Sequence, residues 1–386
     1  MMNRSPIPYG RQDISREDID AVVDILRSDF LTQGPAVGRF ERSVADYCHA
    51  GHAVAVNSAT SALHIACLAA GLGPGDILWT SPNTFVASAN CGLYCGASVD
   101  FVDIDPNTYN MSVVSLEKKL KLARQSGRLP KVVIPVHFSG QSCEMKRIAE
   151  LGREFGFTVI EDASHAIGGR YLGKPVGSCQ FSDMTVFSFH PVKIVTTGEG
   201  GGVVTNNEAL HDKLIRLRSH GITRDPALMK GKSDGGWYYQ QLELGFNYRM
   251  TDLQAALGIS QMSRLDAFVA RRNELAGRYD EALSGLPVRL PFQDPGGYSA
   301  FHLYVIRVLS NQRDLVFDTL RKENILVNVH YIPVHLQPYY RELGFSAGDF
   351  PEAEHYYKET ISLPLFPKLS EHQQDTVISC LKKVLS

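Results

Sequence analysis

Phe157-Thr158-Val159-Ile160-Glu161-Asp162-Ala163-Ser164-His165 reads as a short buried strand that ends on two carboxylates and leads into Ala163-Ser164-His165. Some thirty residues on, Ser188-Phe189-His190-Pro191-Val192-Lys193 places a lysine five positions after a serine. Thr196-Thr197-Gly198-Glu199-Gly200-Gly201-Gly202 and a second apolar run, Val203-Val204, come next. Either residue alone has a plain explanation, Lys193 as a solvated surface lysine and Asp162 as a strand-end cap. The two in this order point to pyridoxal phosphate (PLP) chemistry. There a carboxylate keeps the pyridine nitrogen protonated, so that the ring acts as an electron sink, and an amine carries the cofactor as a Schiff base.

Strands and helices alternate on both sides of this stretch. Gly51 to Asn57 is a buried-type strand, the small-residue helix Ala59 to Ala70 follows, and Gly71-Leu72-Gly73-Pro74-Gly75 ends it. Strand Ile77 to Thr80, helix Phe85 to Cys95, strand Ser98 to Asp103, helix Val114 to Gln125, strand Val132 to Val136 and helix Met145 to Phe155 continue the pattern. Such alternation predicts an α/β fold with a mostly parallel central sheet flanked by helices. Ahead of it, Ser15 to Ser28 is patterned as an amphipathic helix with Ser15 as cap and Ile19, Val22, Val23, Ile25 and Leu26 as apolar positions. From Met250 to Leu286 one long helical pattern, with Arg264, Arg271 and Arg272 on its polar face, reads as a connector. A strand (Ala300 to Ile306), a helix (Leu315 to Glu323), a strand (Ile325 to Tyr331) and a terminal helix (Glu371 to Leu385) then suit a smaller α+β unit. The expected division is 1–250 for a large cofactor-binding domain and 251–386 for the connector and the small C-terminal domain.

The 386 residues allow two domains, and 44% hydrophobic with 21% charged residues is an ordinary globular composition. A net charge of −2 gives no reason to expect nucleic acid or an anionic membrane as partner. Met1 to Arg11 lacks the apolar region of a signal peptide, and no apolar run has membrane-spanning length, so a cytoplasmic location is expected. The seven scattered cysteines fit core thiols in a reducing compartment, and no metal site is expected from them.

Around the lysine, other stretches gain meaning. Asn57-Ser58-Ala59-Thr60-Ser61 joins a strand to a helix start, where Ser58 is a simple N-cap or the free N–H groups form a phosphate site with Ser188 opposite. Phe85 begins a helix just past a strand end, and either stacks on a pyridine face or packs in the core. His165, three residues past Asp162, is placed to approach the cofactor's ring or phenolic oxygen. His190 points with equal reason into the core or away from it.

These motifs resemble the DegT-type sugar aminotransferases, a fold-type I PLP family acting on nucleotide-linked keto sugars. Leu31-Thr32-Gln33-Gly34-Pro35, Asn57 to Leu63, Glu161 to Ala166, Phe187 to Lys193, Thr197 to Gly201, Arg218 to Ile222 and Gly245-Phe246-Asn247-Tyr248-Arg249-Met250 carry the resemblance, which runs from about Ile7 to the last helix. Within the family, Ile7-Pro8-Tyr9, Trp237-Tyr238-Tyr239 and Val329 to Tyr340 are most similar to the UDP-4-amino-4,6-dideoxy-N-acetyl-β-L-altrosamine transaminases of pseudaminic acid biosynthesis.

The resemblance implies that Lys193 is the Schiff-base lysine and Asp162 the partner of the pyridine nitrogen. It implies that Ala59, Thr60 and Ser188 hold the phosphate, with Phe85 and His165 against the cofactor. Asn247 would reach the phosphate of a neighbouring subunit's cofactor, which implies a homodimer with shared sites. Tyr9, the segment Asp29-Phe30-Leu31-Thr32 and His330-Tyr331-Ile332-Pro333 would line the sugar-nucleotide pocket. The implied reaction moves the amino group of L-glutamate, leaving 2-oxoglutarate, to the C4 ketone of a UDP-linked 4-keto-6-deoxy-N-acetylhexosamine. Many members carry glutamine where this chain has His165, whereas histidine recurs in the subgroup named. Members that work as dehydratases replace the lysine with histidine, and this chain keeps Lys193. Two alternatives stay open: an aminotransferase for another keto sugar (3-keto or D-configured 4-keto, UDP- or dTDP-linked), and a non-catalytic regulatory protein on the same fold.

Overall fold

The computed structural model describes residues 5–309 and 311–385; the first four residues of the amino-terminal stretch discussed above lie outside them. Seven strands form the central sheet: β1 (His52–Val56), β2 (Ile77–Thr80), β3 (Ser98–Phe101), β4 (Val132–Ile134), β5 (Thr158–Asp162), β6 (Met184–Ser188) and β7 (Gly201–Thr205), in the spatial order β1-β7-β6-β5-β4-β2-β3. All neighbours are parallel except β7, which runs antiparallel to both β1 and β6. The strands are buried almost throughout, as expected where helices cover both faces of a sheet. Those helices include α1 (Arg16–Leu26), α2 (Pro35–Cys48), α3 (Ala59–Ala69), α4 (Ala87–Tyr94), α5 (Val113–Ser126), α6 (Met145–Phe155) and α7 (Glu208–Arg218). Helix α3 is buried on nearly every side, which its small residues permit.

This topology puts the carboxyl ends of β1, β2, β5 and β6 on one edge, each running into a helix start or a loop. In such sheets that edge is where ligands bind. The turn after β1 lies unusually close to β7: a Cβ at Gly201 would stand 2.5 Å from Ala59 N and Ser58 O, so only glycine admits the approach.

The predicted connector is two helices, α8 (Asp252–Met262) and α9 (Leu265–Leu283). The break comes at Ser263-Arg264, where Arg264 turns to donate to Asp13 Oδ1 at 3.0 Å and to the buried Asp18. That ion pair also corrects the reading of α1. Its inward face carries Asp18 and Ile25, whereas Ile19 and Leu26 are exposed. Ser15 does cap this helix, in a reciprocal pair with Asp18. Arg272, expected on the polar face, is buried, and its Nη1 donates to the carbonyls of Phe301, His302 and Leu365.

Asp252 sets the entry to α2 from far away in sequence. It is fully buried and accepts from Gly34 N at 2.9 Å and Ala36 N at 3.0 Å, capping a helix whose own N-cap, Gly34, has no side chain for the task. Gly34 is small by necessity, since a Cβ there would meet Asp252 Oδ2 and Phe30 Cβ at 2.5 Å. Asp252→Ala is expected to lower unfolding free energy by about 1.5–3 kcal/mol, the worth of hydrogen bonds to a charged group. Urea denaturation measures it, and an unchanged midpoint would show the cap to be dispensable.

Beyond α9, β8 (Tyr304–Val308) and β9 (Thr360–Leu363) pair antiparallel, with Val288–Arg289 on the other edge of β8. Helices α10 (Arg313–Lys322), α11 (Pro338–Glu342), α12 (Pro351–Glu359) and α13 (Glu371–Leu385) complete this part. Its apolar core joins Tyr279, Tyr304, Ile325 and Leu381 with Ile7 from the amino terminus. The predicted strand from Ala300 begins only at Tyr304, because Ala300 N and Leu303 N bond to the carbonyls of Gly140 and Ser139 instead. The predicted strand Ile325 to Tyr331 is paired in parallel with Ile7–Pro8 over Ile325–Leu326 and bridges antiparallel to Ser362 at Asn328, and its remainder is loop. All seven cysteines are free thiols, six of them buried. No helix among the described residues is long and apolar enough to cross a membrane.

Candidate active site

A cavity of about 420 Å³ opens at the carboxyl edge of the sheet. Asp162, the last residue of β5, reaches it, almost wholly buried. Its Oδ2 accepts from Ser88 Oγ at 2.6 Å and its Oδ1 from Ser164 N at 3.1 Å. Ser88 is itself 2.8 Å from Thr84 Oγ1. The carboxylate is thus held as an acceptor with a fixed orientation.

Lys193 follows β6 in a loop that folds back on itself. Lys193 N donates to His190 O, Thr197 N to Phe189 O, and Phe189 N to Gly200 O, each at 2.9 Å. Phe189, Ile194 and Val195 are buried around it, and Phe189 meets Phe40 edge to face at 5.1 Å. The chain is anchored on both sides of a lysine that lines the cavity. Burial brings the amine down to about 8, against the opposing pull of Asp162. An amine with that value keeps a small unprotonated fraction near neutrality, far larger than that of a free lysine, and can act from it as nucleophile or base.

The turn after β1 carries the N-cap expected of it. Ser58 is the N-cap of α3, accepting from Ser61 N at 3.1 Å. The N–H groups of Ala59 and Thr60, in the first turn, have no intrahelical acceptor, and both residues line the cavity at the positive end of the helix. Ser188, at the end of β6, lines the same space.

Ten of the residues singled out in the sequence meet here: Tyr9, Ala59, Thr60, Phe85, Asp162, His165, Ser188, Lys193, His330 and Tyr331. Phe85 is exposed at the cavity wall, 6.4 Å from the Tyr331 ring, so it is no core residue. His190 is exposed as well, with Nε2 3.9 Å from Glu199 Oε1 at the mouth. Three buried imidazoles lie close by. Burial, with Lys193 adding to it, lowers His330 to about 3 and takes His165 and His302 well below the ordinary range. They are neutral, and Lys193 and Asp162 line the same cavity.

The remaining expected residues stand outside this cavity. Asn247 is exposed, bridged to Ser219 in a segment whose next residue, Tyr248, accepts from Asn57 N at 2.8 Å. Asp29 to Thr32 lies against the start of α8, with Leu31 O accepting from Asp252 N, and Phe30 and Leu31 are exposed. Ile332 is exposed, and Pro333 is buried away from the cavity wall. The sequence reading missed Thr84, Ser88, Glu199 and Asn328, which also line the cavity. Thr84 and Ser88 offered one signal, two hydroxyls a helical turn apart flanking Phe85.

A larger surface groove, about 600 Å³ between α4 and α11, offers only amide and phenol groups beside apolar ones. It lacks the lysine, the carboxylate and the helix start. The chemistry belongs to the smaller cavity.

Residues 12–382 match the DegT/DnrJ/EryC1/StrS aminotransferase family. The chain belongs to that family. Among relatives of this aminotransferase, the spore coat polysaccharide biosynthesis protein SpsC of Bacillus subtilis is 42% identical, with 98% of this chain and 97% of that protein covered. A UDP-4-amino-4,6-dideoxy-N-acetyl-beta-L-altrosamine transaminase of Campylobacter jejuni is 37% identical, with 98% of each covered. Helicobacter pylori PseC, an aminotransferase involved in the biosynthesis of pseudoaminic acid, superposes with a TM-score of 0.90 at 30% identity over 99% of each chain. A Streptococcus pneumoniae protein assigned as a sugar aminotransferase, solved in its PLP form, superposes with a TM-score of 0.89 at 32% identity, covering 99% of this chain and all of that one. The fold is the fold-type I architecture expected from the alternating pattern, and the protein is an aminotransferase of a sugar-modifying, PLP-using family.

Proposed function

We propose that this aminotransferase binds PLP and moves the amino group of L-glutamate to the C4 ketone of a UDP-linked 4-keto-6-deoxy-N-acetylhexosamine, releasing 2-oxoglutarate. The observation that carries the cofactor is a single cavity holding an amine of lowered basicity, a buried carboxylate and a helix start with free N–H groups. The close approach at Gly201 adds to the fit, since it brings β7 against the turn that would cradle a phosphate.

When bound, PLP supplies an electron sink that makes the hydrogen on the amine-bearing carbon removable. The chain's own residues do the rest. Ala59, Thr60 and Ser188 would hold the phosphate, and Asp162, oriented by Ser88 and Ser164, would hold the ring nitrogen's proton. Phe85 would pack against the bound ring, and Lys193 would take a proton from the donor's α-carbon and later return one to C4 of the sugar. Tyr9, His330 and Tyr331 form the wall facing the sugar. The names of the Campylobacter and Helicobacter relatives support this substrate.

Asn247 and Asp29 to Thr32, exposed and outside their own cavity, complete the site of a second copy in a homodimer. Asn247→Ala is then expected to release PLP about ten- to a hundredfold more readily, through the loss of one hydrogen bond to a charged group. Mixed with Lys193→Ala, it should regain activity, because a mixed dimer contains one site with both residues intact. Mixed dimers that form and regain nothing would refute sharing.

A second substrate reading rests on the Bacillus relative, which is named for spore coat polysaccharide. That reading is an aminotransferase for another keto sugar nucleotide. Product NMR after incubation with L-glutamate and a panel of UDP- and dTDP-linked 3-keto and 4-keto sugars decides between the two. A UDP-linked 4-amino-4,6-dideoxy product supports the first, and amination only at C3 or only of dTDP sugars supports the second. No amination of any sugar overturns both.

A further inference from the structure

One group in the cavity has a hydrogen-bond direction that the surrounding chain dictates. Ser139 N donates to His165 Nδ1 at 3.3 Å. A backbone N–H can only donate, so Nδ1 must be bare. Ser139 is held for this with φ +63°, a conformation L residues seldom adopt, and its hydroxyl donates to Leu303 O at 2.6 Å. His165 is buried and neutral, as its surroundings require, so its one proton sits on Nε2. Nε2 is 3.1 Å from Tyr331 Oη and donates to it. Tyr331 Oη therefore receives a hydrogen bond on the side of His165, and its own hydrogen must go elsewhere. Tyr331 lines the cavity that holds Lys193.

We propose that Tyr331 is a catalytic hydrogen-bond donor, its hydroxyl hydrogen directed by the Ser139–His165 relay toward an oxygen lone pair of the ligand bound beside Lys193. Two oxygens have the required chemistry: the cofactor's phenolic oxygen and the keto oxygen of the sugar. The proposal rests on the aminotransferase reading of the cavity for its ligand, but not for the direction of the relay. Tyr9, Asp162, Lys193, His302 and His330 surround the pair, and none is shown accepting from the phenol. The phenol is pushed above its ordinary range by burial, with Tyr9 and Asp162 adding to this, so it keeps its proton and serves as donor across the working pH range.

Two measurements test this. In the full chain without cofactor, ¹⁵N-histidine NMR, with the His165 signal assigned by its loss in His165→Gln, should show a protonated Nε2 and a bare Nδ1. The opposite tautomer overturns the relay. In the PLP-loaded protein, Tyr331→Phe removes only the donor. If the acceptor is the phenolic oxygen, the pH midpoint of the cofactor's absorbance rises by about one unit, as expected for losing one hydrogen bond to a charged oxygen. If the acceptor is the keto oxygen, that midpoint stays, amino transfer to the sugar slows about ten- to a hundredfold, and the glutamate half-reaction is unaffected. A variant that retains the wild-type midpoint and both half-reaction rates overturns the proposal. The tautomer is read without cofactor, so its failure is distinct from a wild type that takes up no PLP, which would instead sink the aminotransferase reading.

Discussion

Lys193→Ala is expected to lower kcat by about ten-thousandfold or more, the upper range for losing a positioned proton carrier together with the nucleophile. The side chain stands in a cavity wall, and the loop that carries it is pinned by the bonds of Phe189 and Thr197 and by buried Ile194 and Val195. The variant should therefore melt as the wild type does, so that lost turnover reports chemistry and not folding. PLP uptake by the wild type should accelerate as pH rises through about 8, where the buried amine loses its proton, and then level off. An uptake rate that ignores this value would place the reactive amine elsewhere. Biological activity surviving in Lys193→Ala would favour the regulatory alternative.

Asp162→Asn is expected to cost about a hundred- to a thousandfold in kcat, the scale for removing one preorganised electrostatic contact at a reacting centre. Asparagine keeps the shape: its Oδ1 can still accept from Ser164 N, and its Nδ2 can donate to a reoriented Ser88 hydroxyl, where the carboxylate now accepts at 3.1 and 2.6 Å. What disappears is the negative charge that holds a proton on the ring nitrogen. The variant should retain bound PLP, because the turn at Ala59-Thr60 and Lys193 are untouched. Parallel loss of cofactor and activity would recast Asp162 as a structural anchor.

The alternating sheet was legible because each strand and helix announced its own period, and β2, α6 and α13 have the predicted ends. Lys193 and Asp162, which the fold brings to one cavity, stood out because PLP chemistry calls for an amine and a carboxylate and few other residues can supply them. Features set by distant partners were hidden. No local pattern reveals that Asp18 turns inward to meet Arg264, that Arg272 is buried among three carbonyls, or that Asp252 caps a helix more than two hundred residues upstream. The split of the long helix at Ser263-Arg264 has the same origin. Ser88 was missed because a serine early in a helix is ordinary until a carboxylate is known to stand opposite it.

The pairing of Ile7–Pro8 with Ile325–Leu326, and of Tyr9 O with Leu365 N, bears on the order in which the molecule is completed on the ribosome. Lys193, Asp162 and the turn at Ser58 all belong to the central sheet and emerge well before the residues that receive the amino terminus. At translation speeds of about 5–20 residues per second, the span from Ile7 to Ile325 takes roughly 15–65 s to synthesise. Throughout that interval the strand Ile7–Pro8, which leads into Tyr9, lacks its pairing partner. The central sheet with Lys193 and Asp162 is thus complete first, and the Tyr9 side of the cavity closes only when synthesis is nearly finished.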